Sequence, residues 1–410
     1  MFLFVDIVLF VIALGLLVPI VVLFVECSAA LLPGQFETGE SQEPQPKVAV
    51  LVPAHNEALG IGATLETLLP QITDQDYVIV IADNCDDETA AIAKRCCEAQ
   101  IARTFGVTVL ERQDTERRGK GYALDYGLRS LEVDPPEVVV VVDADCIVHQ
   151  GTIERIARQA AAVARPVQAI YLMELPEKPS PKDSVSALAF LVKNLVRPSG
   201  LKRLGLPGLL TGTGMAFPWS ALQKATLASS NIVEDMQLGL DLAIAGYTPL
   251  FCSEARVTGR LPQQQLAAKS QRTRWEHGHL QTLLTQVPKL LKESVRQRRI
   301  DLAALALDMC VPPLSLLVMI WAVVMVGALL AGSLGASWTM AIVVAIEGLL
   351  IFISIVGAWA KFGRADLPVG SLLAVPFYLL WKIPLYFSFL VKPQTKWIRT
   401  ERDAVDAPES

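Results

Sequence analysis

The chain has 410 residues, of which 52% are hydrophobic and 19% are charged, and its mean hydropathy is +0.42. This composition is too apolar for an ordinary soluble enzyme, and the net charge of -5 gives no support to a nucleic-acid partner. The seven cysteines are odd in number and form no Cys-X-X-Cys pair, which excludes a simple disulfide frame or zinc site and indicates reduced residues on the cytosolic side.

Four long apolar segments account for the excess of hydrophobic residues. The first, Leu3 to Val25, is almost unbroken, and a helix of that length crosses a hydrocarbon core of about 30 Å. No basic flank or cleavage site accompanies it, so we interpret it as a retained anchor. Three further candidates follow residue 305: Met309 to Leu330, Trp338 to Ala360 and Leu367 to Val391. The last contains two prolines and a lysine, which favours a partly re-entrant or interfacial segment.

These segments predict the division of the chain. We expect an N-terminal anchor at 1–33, a linker at 34–46, a domain of mixed composition at 47–277, an amphipathic interface helix at 278–305, a membrane region at 306–392 and a polar tail at 393–410. The tail begins with basic residues at Lys392, Lys396, Arg399 and Arg402, and basic flanks favour the cytosol. Four full crossings with a cytosolic domain would instead put this tail outside, so the sequence leaves the side of the C-terminus open.

Strands and helices alternate between residues 47 and 150. Short apolar runs at 48–52, 77–81, 107–110 and 138–142 predict strands, and helical patterns stand between them. This alternation is typical of βαβ units and therefore predicts an α/β fold with a parallel sheet. The five consecutive valines at 138–142 indicate a strand that is buried on both faces. Because the carboxyl ends of parallel strands share one edge, the loops there are expected to build one pocket.

The polar residues of that pocket suggest a ligand. Asp143 and Asp145 follow the valine strand with one residue between them, a spacing that lets both carboxylates converge on Mg²⁺ or Mn²⁺. A strand-terminal Asp that caps the next turn is the alternative. Asp83 ends the second strand and can accept hydrogen bonds from a base or ribose, while Lys120 stands in a glycine-containing loop suited to phosphate. Taken singly, an Asx-turn and a solvated loop are the better explanations of Asp83 and Lys120.

The regular alternation stops after residue 150. The segment 184–197 fits an amphipathic helix near a membrane surface and equally a surface helix of the domain. Residues 209–217 form a strand pattern interrupted by Gly212 and Gly214, which indicates a close approach of the backbone to another group. Glu234 and Asp235 open a helix, where two acids are favourable without any function. An amphipathic run after Trp275 leads into the membrane segments and is expected at the interface.

As a set, these residues resemble the processive-type family 2 glycosyltransferases, a group that includes cellulose, chitin, hyaluronan and poly-N-acetylglucosamine synthases and ceramide glucosyltransferase. The resemblance covers residues 47–305. It rests on four motifs in the order of the family: Asp83, Asp143-Ala144-Asp145, Glu234-Asp235 and Gln271-Arg272-Thr273-Arg274-Trp275. The last motif is the most specific of the four.

The resemblance implies a Rossmann-like GT-A domain inserted between one N-terminal and about three C-terminal transmembrane helices, with a nucleotide-sugar donor and Mg²⁺ or Mn²⁺. It implies that Asp235 is the general base, assisted by Glu234, and that Asp145 holds the metal. The residues implied on the donor side are Pro53, Glu57, Asp83, Lys120, Asp143 and Arg274. Those implied on the acceptor side are Gly212, Thr213, Gly214, Gln271 and Trp275. Val233 departs from the family, which usually has a Thr before Glu-Asp, and this removes a hydroxyl from the acceptor pocket.

The resulting expectation is an integral protein of the plasma or inner membrane whose cytosolic domain performs an inverting transfer from a nucleotide sugar, such as a UDP-sugar. The acceptor is expected at the membrane surface. A growing polysaccharide and a glycolipid built on ceramide, diacylglycerol or a polyprenyl compound both fit. A hypothesis of another class is a non-catalytic membrane scaffold. The presence of Asp83, Asp145, Asp235 and Arg274 argues against the scaffold, because a binding module needs no base beside a metal site.

Overall fold

The computed structural model describes residues 2–33, 45–98, 106–176, 179–228, 233–260 and 265–391. The basic tail residues Lys392, Lys396, Arg399 and Arg402 lie outside this part. The chain forms two compact units. Unit 1 consists of Met1–Phe36, Pro179–Leu206 and His279–Pro393, and unit 2 of Glu37–Lys178, Pro207–Gly278 and Gln394–Ser410.

The elements are numbered in chain order. The strands are β1 (Val48–Ala54), β2 (Tyr77–Asp83), β3 (Gly106–Arg112), β4 (Val138–Val141), β5 (Cys146–Val148), β6 (Val167–Glu174), β7 (Met215–Pro218) and β8 (Leu250–Arg260). The helices are α1 (Phe2–Leu31), α2 (Ile61–Leu68), α3 (Thr89–Glu98), α4 (Lys120–Ser130), α5 (Thr152–Val163), α6 (Pro181–Leu191), α7 (Arg197–Arg203), α8 (Trp219–Leu222), α9 (Glu234–Ile244), α10 (Gln265–Gln297), α11 (Ile300–Cys310), α12 (Leu314–Ser333), α13 (Thr339–Ala358) and α14 (Val375–Val391). Short 3₁₀ turns occur at Leu69–Gln71 and Val369–Ala374, and π turns at Val192–Val196 and Trp359–Gly363.

An eight-stranded mixed sheet forms the centre of unit 2. Its strand order is β3-β2-β1-β4-β7-β6-β8-β5. The first four strands of this order are parallel, which confirms the predicted βαβ units. Beyond them β7 runs antiparallel to both β4 and β6, so the sheet as a whole is not parallel. The predicted strand at 209–217 begins only at Met215, because the glycine-rich residues before it form a loop.

The valine strand lies in the core of unit 2, as its composition predicts. The four residues of β4 are buried, with β1 on one side and β7 on the other. Helix α4 packs closely on the sheet at Gly127, where an ideal Cβ would lie 2.9 Å from Cδ1 of Ile81 and 3.3 Å from Cδ2 of Leu51. The central position of β4 places the residues that follow it at the middle of the sheet's carboxyl edge, where open α/β sheets bind ligands.

Unit 1 contains the apolar helices. Among the described residues, four segments are long and apolar enough to cross a membrane: Phe4–Leu31, Leu314–Ser333, Thr339–Gly363 and Val369–Val391. One is N-terminal and three are C-terminal, in agreement with the predicted layout. Helices α6 and α7, which the sequence left open between the membrane surface and the domain, belong to this unit.

A buried ion cluster joins three segments of unit 1 that are distant in sequence. Arg197 of α7 donates from Nε to Oε2 of Glu26 in α1 at 2.5 Å. Its Nη2 donates to the backbone oxygen of Asp308 in α11 at 2.6 Å and also pairs with the Asp308 carboxylate. All three side chains are buried. Removing one member of such a cluster leaves uncompensated buried charge, so the three segments are fixed to one another.

Candidate active site

The backbone of the Asp143-Ala144-Asp145 motif is held from two sides. The Asp143 N–H donates to Oγ1 of Thr213 at 3.0 Å, which ties the motif to the loop before β7. The hydroxyl of Thr64 in α2 donates to the backbone oxygen of Ala144 at 2.9 Å. The motif is therefore a fixed turn at the end of the valine strand.

The side chains of this turn form a donor set for a divalent cation. The ligand atoms of Asp143, Asp145 and Cys146 all lie within 4.8 Å of one another. Burial raises the pKa of the Cys146 thiol well above its usual value. Sulfur is also a soft donor that suits Zn²⁺ better than Mg²⁺ or Mn²⁺, so Cys146 is a poor ligand for these two ions. The remaining donors are carboxylate oxygens, which suit Mg²⁺ or Mn²⁺ when substrate phosphates complete the coordination. Asp143 and Asp145 would therefore hold such an ion.

Lys120 connects this turn to the opposite side of the site. It is the first residue of α4, and its Nζ pairs with the Asp143 carboxylate and donates to the backbone oxygen of Gly212 at 2.6 Å. Burial lowers the Lys120 pKa, but the charges of Asp143, Glu234 and Asp235 outweigh burial, so the net pKa shift is upward. Lys120 is thus a fixed positive charge among acids.

The loop before β7 brings Asp235 to the same place. Gly212 has a φ of +102°, and an ideal Cβ there would lie 3.1 Å from Oδ2 of Asp235 and 3.8 Å from Nζ of Lys120. A side chain at position 212 would therefore be strained and would press on the carboxylate. Gln168 fixes this loop, since its Nε2 donates to the backbone oxygen of Thr213 at 2.8 Å and its Oε1 accepts from the Thr211 N–H at 2.8 Å. Gln168 stands in no motif, so its role was not predicted from the sequence.

Glu234 and Asp235 both stand in the first turn of α9, and their environments differ. Burial raises the pKa of Glu234 to about 7, and the charge of Asp235 adds to this shift. Asp235 is the member of the pair that lies against Gly212. The N-terminus of α9 favours an ionised carboxylate in this turn. One acid is therefore held close to Lys120 while its neighbour takes up a proton near neutral pH.

An ion pair occupies the position where Asp83 was predicted to meet a nucleoside. Asp83 and Arg112 are paired in register at the ends of β2 and β3, and Nη1 of Arg112 donates to Oδ1 of Asp83 at 2.5 Å. Nη2 of Arg112 also donates to Oδ2 of Asp114 and to the backbone oxygen of Arg117, both at 2.9 Å. Arg112 therefore orients Asp83 and anchors the loop that leads to Lys120. Arg112 was not predicted as a site residue, although opposite charges at the ends of two neighbouring parallel strands are a usable signal.

The remaining predicted residues are spread over several elements. Pro53 lies in β1 opposite Ile81, and the Glu57 N–H donates to Oγ1 of Thr89 at 2.8 Å. Gln271 is buried on α10, and its Oε1 has no hydrogen-bond partner within the part of the chain that the structure describes. Arg274 and Trp275 follow on the same helix and are partly exposed. The donor-side and acceptor-side roles of these residues stay predictions.

Comparison with known proteins identifies relatives that match more than three fifths of this chain. The chain is 24% identical over 282 residues to the "Probable glycosyltransferase YdaM" of Bacillus subtilis, a match that covers 64% of this chain and 61% of that protein. It is 24% identical over 266 residues to the "Probable glucomannan 4-beta-mannosyltransferase 11" of Arabidopsis thaliana, covering 63% and 58%. The chain thus spans about three fifths of the length of these curated relatives.

A solved structure shares the fold. The mannosyltransferase PcManGT of Pyrobaculum calidifontis, solved with GDP-Man and Mn²⁺, superimposes with a TM-score of 0.58 at 19% identity, covering 92% of this chain and 99% of that one. This likeness confirms the predicted GT-A-like fold. The model of the family described as "Glycosyltransferase like family 2" matches residues 44–278, which is more than half of the chain. The chain therefore belongs to glycosyltransferase family 2.

Proposed function

We propose that this chain is a membrane-bound inverting glycosyltransferase of the processive synthase type, which moves a sugar from a nucleotide-sugar donor to an acceptor hydroxyl at the membrane surface. The observation that carries the proposal is the convergence of Asp143, Lys120, Gly212 and Asp235 within one site. Asp143 and Asp145 offer carboxylates to a metal ion. Lys120 offers a positive charge to phosphate, and Asp235 offers a carboxylate that can accept a proton. A scaffold would have no use for this combination.

In this proposal Asp235 acts as the general base. It takes the proton of the acceptor hydroxyl while the acceptor oxygen forms a bond to the anomeric carbon and the bond from that carbon to the diphosphate breaks. Its carboxylate lies against the backbone of Gly212, so the glycine holds the carboxylate in place without a side chain that would press on it. Proton transfer by a positioned carboxylate contributes about 10² to 10⁴ in rate.

The donor is held from the opposite side. Asp143 and Asp145 would bind Mg²⁺ or Mn²⁺, which when present stabilises the charge of the leaving diphosphate. Lys120 adds a fixed positive charge at the same edge. Arg112 presents Asp83 to the nucleoside in one orientation. The presence of GDP-Man and Mn²⁺ in the structure of PcManGT supports a nucleotide sugar and a divalent metal, and both UDP- and GDP-sugars are to be tested.

The proposed acceptor is a growing polysaccharide. The Gln271-to-Trp275 motif supports it through the resemblance to polysaccharide synthases, and one relative carries a glucomannan mannosyltransferase name. The buried and unpaired Oε1 of Gln271, noted above for the described residues, is suited to a sugar hydroxyl. A lipid acceptor is the second candidate, because the four membrane-length segments found in the described residues are few for a secretion channel.

The catalytic unit is proposed to face the cytosol, where nucleotide sugars are available. Arg203 donates to the backbone oxygen of Pro33 and Lys361 to that of Leu31, so basic side chains gather where α1 ends. The other end of unit 1 carries Asp6 and the loop 334–338, whose sequence has no Lys or Arg. Basic flanks favour the cytosolic side, and in the sequence the catalytic unit follows the basic end of α1.

Product analysis tests the function. Membranes that contain the protein are incubated with radiolabelled UDP- and GDP-sugars and Mn²⁺, and the products are divided into an organic extract and an ethanol-insoluble fraction. Label in the insoluble chain supports the polymer, and label in the organic extract rejects it in favour of a glycolipid. No transfer above that of membranes that lack the protein, with any donor and in both fractions, rejects the enzyme.

A further inference from the structure

Helices α1, α12 and α13 of unit 1 run between the same two boundaries. At one end Oδ1 of Asp6 in α1 accepts from the N–H of Ser337, in the loop between α12 and α13, at 3.3 Å. At the other end Nζ of Lys361, just after α13, donates to the backbone oxygens of Ala30 and Leu31 at 2.8 and 3.2 Å. We call these the Asp6 end and the Lys361 end. Each of the three helices is long enough to run from one end to the other.

The start of α12 lies at the Lys361 end. Helix α12 has 20 residues and spans about 30 Å, and its last residue is joined to α13 by the loop at the Asp6 end. Its second residue, Ser315, must therefore lie near the opposite boundary. Ser315 thus marks the depth at which α12 enters the bilayer.

Both ends of α14 lie near the boundary at the Lys361 end, where α12 begins. The chain approaches α14 from the Lys361 end, where Nε1 of Trp359 donates to the backbone oxygen of Leu367 at 2.9 Å. Near the other end of α14 the hydroxyl of Tyr386 is hydrogen-bonded to the hydroxyl of Ser315 at 2.7 Å. Leu385 and Tyr386 also pack with Leu316, in the first turn of α12.

The remaining length of α14 cannot cross the bilayer. From Tyr386 to Val391, the last residue of α14, five residues rise only about 7 to 8 Å. A hydrocarbon core of about 30 Å lies beyond Ser315. If α14 crossed in the same direction as α12, Tyr386 would instead lie beside the middle of α12. The length and composition of α14 are sufficient for a membrane-spanning helix, but its contacts with α12 are those of a helix that stays at the boundary.

The two faces of α14 differ in a way that identifies what covers it. Lys382 is fully buried, and its ammonium lies 5.4 Å from the ring centroid of Tyr378, which is also buried. The opposite face is a continuous apolar stripe, in which Phe377, Leu380 and Phe387 are 64 to 73% exposed. Their spacing of three and seven residues places them on one side of a helix. An apolar stripe of this kind is unfavourable in water. It is favourable against the acyl chains at the boundary of the bilayer.

We propose that α14 is an interfacial helix, which lies in the leaflet at the Lys361 end with its Phe377-Leu380-Phe387 stripe against lipid. Unit 1 then crosses the membrane three times, through α1, α12 and α13. The chain leaves α14 on the side where α1 ends. Basic residues follow α14 in the sequence, and basic flanks favour the cytosolic side, so three crossings remove the conflict between four crossings and a basic tail. The inference does not depend on the reaction that unit 2 performs.

Epitope tags at the two termini test the topology. Three crossings put the tags on opposite sides of the membrane, and four crossings put them on the same side. Sealed right-side-out and inverted vesicles are treated with protease, and each tag is followed by immunoblot. We expect one tag to be lost in each vesicle orientation. Loss of both tags in one orientation and of neither in the other would overturn the proposal.

Depth measurements test the lipid contact in the full chain. Spin labels are placed singly at 377, 380 and 387 in an active variant whose half-buried cysteines, Cys85, Cys96, Cys97 and Cys310, are replaced and whose buried cysteines are kept. Accessibility to O₂ and to a polar nickel complex is then measured. We expect one shallow depth for all three positions. Positions 342, 349 and 353 of α13 serve as the control and should show graded depth.

Two outcomes of the depth measurement would contradict the proposal. A depth that changes steadily along α14, by about 1.5 Å per residue, would show a crossing helix. Labels shielded from both reagents, with dipolar broadening between molecules, would show that a protein partner or a second copy of the chain covers the stripe. If replacement of the cysteines abolishes folding, the tag experiment still decides between three and four crossings.

Discussion

Replacing Asp235 by Asn removes the proposed base with little change of shape. The amide has nearly the same volume as the carboxylate, so it fits the space beside Gly212, where an ideal Cβ already comes within 3.1 Å of Oδ2. The donor side of the site, Asp143 and Asp145, is untouched. We therefore expect kcat to fall by about 10² to 10⁴, which corresponds to about 3 to 5 kcal/mol of transition-state stabilisation, and the KM for the donor to change by less than about threefold.

The assay is initial-rate transfer of labelled sugar by purified protein in lipid nanodiscs, with product quantified under saturating acceptor. Asp241→Asn is the matched control. It lies on the same helix, is exposed, and accepts a hydrogen bond from Gln237 at 2.8 Å. This control should retain wild-type kcat within threefold. Two results refute the reasoning: Asp235→Asn that keeps more than a third of wild-type kcat, or a control variant that loses as much activity as Asp235→Asn.

Three further variants test other features. Arg112→Gln should raise the donor KM about tenfold while kcat changes by less than threefold, because Asp83 loses its orientation. Arg129→Gln is the control, since the Arg129 side chain is exposed and its ion pair with Asp125 lies within one helix. A fall in kcat alone would contradict the assignment. Between pH 4.5 and about 7, the thermal midpoint of Glu234→Gln should decline less than that of the wild type. The reason is that a carboxyl whose pKa is raised in the folded state contributes stability that is lost as pH rises through that pKa. Parallel curves of midpoint against pH would contradict this. Arg197→Met should destabilise unit 1 by about 3 to 5 kcal/mol in thermal unfolding, whereas Arg203→Met should change it little, and equal effects would show that the buried cluster has no special role.

The parts of the fold that sequence predicted are those with a local signal. Short apolar runs rich in β-branched residues predicted β1 to β4, and long apolar runs predicted the membrane helices, because one face or the whole surface of each must be buried. The pair Asp143 and Asp145 was visible because charge interrupts an apolar strand. The antiparallel insertion of β7 had no such signal, since its four residues follow an irregular glycine-containing loop.

The contacts that organise the site were not visible, because each joins residues that are distant in sequence. Arg112 meets Asp83 across 29 residues, Lys120 meets Gly212 across 92, and Gln168 meets Thr213 across 45. A single Arg, Lys or Gln in a loop or strand has many possible partners, and only the strand order selects one. Motif resemblance supplied Asp235, but it did not supply the residues that hold the site together.

The buried pairing of Glu26 with Arg197 also has a consequence for how the protein is made. During synthesis α1 leaves the ribosome 171 residues before Arg197, and Asp308 follows 111 residues after that. At a synthesis rate of about 5 to 20 residues per second, Arg197 is made on the order of ten seconds or longer after Glu26. Throughout that time a polar group in a membrane helix has no neighbouring helix to pack against. We therefore expect α1 to remain with the insertion machinery while the catalytic unit is translated, so that the first helix to be made is among the last to be assembled.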